Sequence, residues 1–89
     1  MIKIKRIEYS RKFDKDLKKS PTKIKIAFKK RREIFQQNQF HPLLNNHLLT
    51  GNLKGYRSIN ITGDWRAIYS ERNGVITFEI LGTHSMLYK

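Results

Sequence analysis

Cysteine is absent from the 89 residues, which excludes disulfide staples and thiolate metal ligands, the usual supports of small secreted domains. A reducing compartment fits that absence. Acidic residues are scarce as well: seven Asp and Glu stand against nineteen Lys and Arg, for a formal net charge of +12. With only three histidines, no HxH or HExxH spacing and no Asp-rich loop, a two-metal nuclease would lack ligands, so neither a metal nor another cofactor is expected. Long apolar runs are missing too. From Ile2 to Ile7 the chain alternates Ile with Lys or Arg, which forms neither a signal peptide nor a membrane span. The expectation is a mature cytoplasmic protein with no membrane partner. Without a repeat, linker or low-complexity segment, residues 1–89 read as a single domain.

What is present is enough for one modest core: 38% hydrophobic residues, among them one Trp, four Tyr and five Phe. The charge is unevenly spread, about +10 over residues 1–38 and +2 over the remainder. Such a field attracts polyanions and speeds their encounter, and solubility alone needs far less. Nucleic acid is the natural partner, with grip and chemistry drawn from different halves of the chain.

The start, Ile2–Ile7, has the period of a half-buried strand. Ser10 caps a short helix through Lys19, with Phe13 and Leu17 stacked four residues apart. Ser20-Pro21 reads as a second start, Ser at the N-cap and Pro in the first turn, of a helix that runs to about Asn38 and buries Ile24, Ala27, Phe28, Ile34 and Phe35. Lys23, Lys25, Lys29, Lys30 and Arg32 lie off that face. Residues 39–55 lose all periodicity and form a long surface loop. Strands follow at Tyr56–Ile61, Trp65–Glu71 and Val75–Leu81, the last two joined by Asn73-Gly74, whose residues tolerate the positive φ of a type I′ turn. The tail from Gly82 to Lys89 is irregular, with at most one helical turn. The fold is therefore α+β, in the order β-α-α-β-β-β: a four-stranded, largely antiparallel sheet with two N-terminal helices on one face.

Alternation along the strands sorts the side chains between the two faces of the sheet. Ile76, Phe78 and Ile80 should meet the helices, as should Trp65, Ala67 and Tyr69. That leaves Arg66, Ile68 and Ser70 on the open face. Arg57, Ile59 and Ile61 alternate with Ser58 and Asn60, so Asn60 joins Arg66.

Three stretches carry a specific likeness. The run from His47 through Thr50-Gly51-Asn52-Leu53-Lys54-Gly55-Tyr56 to Arg57, then Gly63-Asp64-Trp65-Arg66-Ala67-Ile68-Tyr69, then Leu81-Gly82-Thr83-His84-Ser85 with Leu87-Tyr88, closely resembles the YafQ-like branch of the RelE/ParE toxin superfamily. The resemblance implies the RelE-like fold and an endoribonuclease that enters the ribosomal A site and cuts messenger RNA there. It also implies a cognate antitoxin, the toxin alone being a monomer and a hetero-oligomer with that partner. His84 matches the branch's principal acid/base histidine; His47, Asp64 and Trp65 match further functional positions. Tyr88 stands where the family often has a terminal aromatic, and Arg66 matches the superfamily arginine that looks like the ligand of the scissile phosphate. Asn60 departs from the pattern, replacing a common histidine with an amide that exchanges no proton near neutral pH.

RNA carries its own nucleophile, the 2′-hydroxyl, so three tasks remain: base, acid and charge clamp. Histidine suits proton transfer near neutral pH, and arginine offers a planar fork to phosphate oxygens. His84 is assigned as general acid or base, His47 or Asp64 as its complement, and Arg66 as the clamp. Arg57, Trp65, Tyr88, Lys54 and Asn60 are the candidate substrate contacts, although Trp65 is better placed in the core by alternation. Blander roles stand beside these: His41 as a loop residue, Asp64 as an Asx cap of its turn, Arg66 as a partner of Glu79 across the hairpin, and the helix lysines as a solvated face. Two rival functions use the same features, a gyrase-inhibiting toxin of the same superfamily and a non-catalytic RNA-binding module.

Overall fold

The computed structural model describes residues 3–88. Its first strand, β1 (Arg6–Tyr9), is shorter and later than the alternating Ile2–Ile7 run implies, and Ile2 lies outside the described residues. After β1 the Ser10 hydroxyl accepts the Phe13 N–H at 2.9 Å and caps α1 (Arg11–Lys19), as its residue type requires. The same hydroxyl donates to the Glu79 carbonyl at 2.7 Å, so one side chain both starts a helix and fixes it to the sheet.

The second cap differs from expectation. α2 spans Thr22–Gln37 with Pro21 at its cap position and no side-chain cap bond. Ser20 instead closes α1, its N–H and hydroxyl both donating to the Leu17 carbonyl. Two residues separate the helices, and Ser20 stands one position too far back to reach the N–H groups of α2.

Strands β2 (His47–Leu48), β3 (Arg57–Asn60), β4 (Trp65–Arg72) and β5 (Val75–Thr83) complete a sheet ordered β1-β5-β4-β3-β2. Among the described residues only β1 runs parallel to its neighbour; the other pairings are antiparallel. Among the described residues the sheet is therefore mixed and has five strands, not four. The fifth comes from the stretch without periodicity, where a two-residue strand between two 3₁₀ turns is too short to leave a sequence signal. Asn73 and Gly74 do form the expected two-residue turn with positive φ. A third helix, α3 (His84–Leu87), follows β5 directly.

Helices α1 and α2 cover one face of the sheet, where Phe13, Phe28, Phe35, Tyr69 and Phe78 interlock with ring centroids 5.1–5.8 Å apart. Ile80 does not belong to that core. The β4–β5 register passes from Ile68↔Ile80 to Tyr69↔Phe78 and skips Glu79, a β-bulge that inserts one residue. Beyond it every β5 side chain changes face, so Leu81 enters the core and Ile80 joins Ile68 on the open side. Sequence alternation has no means of announcing such an insertion.

Candidate active site

Arg66 lies near the start of β4, paired with Asn60 on β3 and Gly82 on β5, so all three share the open face. Its Nη1 donates to the carbonyls of Thr62, Gly63 and Trp65 at 3.1–3.2 Å. The turn after β3 thereby holds one amino group and directs the remaining fork outward. No carboxylate pairs with it: among the described residues the ion pairs are Arg6–Glu8 and Lys12–Asp16. Glu79 instead accepts from Ser70 at 2.9 Å.

His84 is placed by both ends of its turn. Thr83 caps α3 through the Met86 N–H, and the His84 N–H donates to the Asp64 carbonyl at 2.8 Å. Gly82 leaves room for that turn, since a Cβ there would lie 3.3 Å from Leu87. One turn later the Tyr88 ring packs on the imidazole, with centroids 4.7 Å apart at 56°. The Tyr88 hydroxyl donates to Ser58 Oγ at 3.1 Å, and Ser58 is the β3 residue paired with His47.

On the exposed edge strand β2, His47 Nδ1 lies 2.8 Å from the Asn45 carbonyl oxygen. A carbonyl only accepts, so Nδ1 carries the proton and Nε2 keeps its lone pair in the neutral ring. Such a ring is ready to take up a proton at Nε2.

One cavity of about 330 Å³ is lined by Asn45, His47, Leu49, Arg66, His84 and Tyr88. Two imidazoles and a guanidinium line it with no acidic side chain among the described residues, an arrangement suited to a phosphate flanked by two proton-transfer groups. The other residues singled out by sequence lie elsewhere. Asp64 and Trp65 line a separate cavity of about 400 Å³ with Lys23, Ile24 and Thr62. Thr62 Oγ1, not Asp64, accepts the N–H groups of this turn. Arg57 sits on the helix side of the sheet, its Nε bonded to Asn46 and its guanidinium 5.3 Å from the Phe40 ring centre. Lys54 borders a polar hollow of about 740 Å³ at the hairpin end of the open face, with Arg6, Glu8 and Arg72. Asn60 shares the face of Arg66 but does not line its cavity, and its Oδ1 is buried without a partner among the described residues. His41 caps the 3₁₀ turn Pro42–Leu44 through Nδ1.

Sequence reasoning gave no role to Ser58 and Asn46, because a small uncharged polar side chain has no acid–base or charge signature to single it out. It also missed the buried bonds of Tyr69. This side chain is fully buried, and burial pushes its pKa up from 10.0, opposed by hydrogen bonds from Gln39 and Asn46.

Comparison with known proteins identifies the family. A family model described as bacterial toxin of type II toxin-antitoxin system, YafQ, matches residues 5–89. The mRNA interferase toxin YafQ of Escherichia coli K12 is 31% identical over 93 residues, covering 92% of this chain and 94% of that protein. The crystal structure of YafQ from E. coli BL21(DE3) superposes with a TM-score of 0.80 at 29% identity, over 93% of this chain and 97% of that one. The E. coli DinJ–YafQ toxin-antitoxin complex gives a TM-score of 0.78 at 29% identity, over 99% of this chain and 100% of that one.

Proposed function

This chain belongs to the YafQ family of type II toxins and is an endoribonuclease, and from that premise we propose that it cuts messenger RNA on the ribosome by a metal-independent transfer within the RNA. His47 Nε2 removes the 2′-hydroxyl proton. The 2′-oxygen attacks the adjacent phosphorus, Arg66 neutralises the charge that grows on the phosphorane oxygens, and the bond to the 5′-oxygen breaks. His84 supplies the proton that the leaving 5′-oxygen takes up. The products are a 2′,3′-cyclic phosphate and a free 5′-hydroxyl. Tyr88 contributes a wall that orients His84 and offers a face to a base. An antitoxin partner follows from membership of a toxin–antitoxin family and from the DinJ–YafQ complex of the E. coli relative.

The observation that carries this reading is the convergence of His47, Arg66, His84 and Tyr88 on one cavity with no acidic lining among the described residues. Its geometry favours His47 over Asp64 as complement to His84, because the Asp64 carboxylate lines a different cavity. The test is induced expression followed by mapping of transcript 5′ ends. The parent should produce in-frame cuts bearing 5′-hydroxyls, and His84→Gln should lose cleavage by about a hundredfold or more, the scale of a lost acid–base group. Undiminished cleavage by folded His84→Gln contradicts the assignment. Cuts out of frame contradict the ribosomal setting.

A further inference from the structure

We propose that Asn46 is the positioning residue for His47, acting through a buried amide clamp on the opposite face of the sheet; this deepens the nuclease reading above and rests on it. The His47 ring is exposed, and its only side-chain hydrogen bond among the described residues goes to the Asn45 carbonyl. Where that carbonyl points therefore determines which ring nitrogen carries the proton. Asn45 adopts a left-handed conformation, φ 45°, and contributes no other side-chain anchor among the described residues.

The next side chain supplies the anchor. Asn46 Nδ2 donates to the Gln39 carbonyl at 3.0 Å and to Tyr69 Oη at 2.7 Å, and its Oδ1 accepts from Arg57 Nε at 2.8 Å. Both amide hydrogens and one oxygen lone pair are thus engaged. The partners are themselves held: Tyr69 is fully buried, Gln39 is 5% exposed, and Gln39 Nε2 donates both to Tyr69 Oη and to Glu71 Oε1. Alternation at the edge strand places His47 on the open face opposite Ser58, while Asn46 meets Tyr69 and Arg57 on the helix side. Rigid bonds on one face thereby fix a peptide whose carbonyl sets the tautomer on the other. This is the role outer partners play for many functional histidines. Arg57, at the far end of the clamp, serves here as structure and does not touch the cavity.

The test reads the His47 ring directly, by two-bond ¹H–¹⁵N spectra of the ¹⁵N-labelled full chain, with the His84 ring as internal control. In the parent, neutral His47 should carry its proton on Nδ1. In Asn46→Ala the Nε2–H form should gain population and kcat should fall by up to about a hundredfold, the scale of a misplaced reacting group, with KM little changed and His84 unmoved. Tyr69→Phe, which keeps the buried ring and removes only the acceptor, should shift His47 in the same direction and serves if Asn46→Ala does not fold. An unmoved His47 ring in a folded clamp variant overturns the proposal, and so does a moved ring with full kcat. His47→Gln separates this outcome from failure of the nuclease reading. Full cleavage by that variant removes His47 as base, and the catalytic role of the clamp with it, whereas an unmoved ring removes the clamp alone.

Discussion

Arg66 shows how one side chain is divided between structure and chemistry. Its Nη1 is occupied by the carbonyls of Thr62, Gly63 and Trp65, and the other guanidinium nitrogens make no hydrogen bond among the described residues. A lysine keeps the charge but cannot hold the turn and present a flat fork at once. Arg66→Lys should therefore lower kcat by about a hundredfold, as removal of an oxyanion ligand does, while thermal unfolding changes little; retention of more than half the parental rate would contradict the clamp role. Much of this was legible beforehand. The strand period put Arg66 opposite the core, and the Gly-Thr-His-Ser motif singled out His84. What stayed hidden depended on where carbonyls point: the tautomer of His47, set by Asn45, and the turn that holds Arg66. Neither follows from residue type or spacing.

At the scale of elements, turn chemistry was the most readable feature and sheet irregularity the least. Asn73-Gly74 announced its hairpin because few other residues accept that backbone. Gly74 is doubly constrained: its φ is +84°, and a Cβ would stand 2.9 Å from the Lys3 carbonyl oxygen, next to the point where the Lys5 N–H bonds the Gly74 carbonyl. Gly74→Ala should cost about 1–3 kcal/mol, read as a lower urea midpoint with the slope unchanged; a shift within error would show that the segment before β1 yields freely. The bulge at Glu79 was invisible, since one inserted residue preserves composition while reversing every face that follows. Ser20 was misread for a related reason. Serine is a favoured start of a helix, but here its hydroxyl closes the helix before it, and only the spacing to the next free N–H tells the two roles apart.

Across the whole molecule, the basic half of the chain supplies the helices on one face, while the paired imidazoles and Arg66 occupy the end of the other. The excess positive charge and the candidate site thus lie on separate surfaces of an RelE-like α+β fold, and the uneven spread of charge along the chain is legible in the sequence alone. Global stability carries a pH signature from Tyr69. Because burial raises its pKa above 10.0, the folded chain holds the phenol proton more tightly than the unfolded chain. That contribution is intact below the unfolded value and is lost as pH rises through the folded one. Urea midpoints should accordingly fall more steeply beyond pH 10.0 in the parent than in Tyr69→Phe; parallel slopes would show that the hydroxyl is not shielded. One topological feature reaches further. The first strand of the sheet pairs in parallel with the last, so during synthesis the backbone of Ile7 and Tyr9 finds no strand partner until Val75–Phe78 have left the exit tunnel, although the Tyr9 ring can already pack on Phe13 and Phe28. The groups at positions 47, 66, 84 and 88 likewise assemble only then.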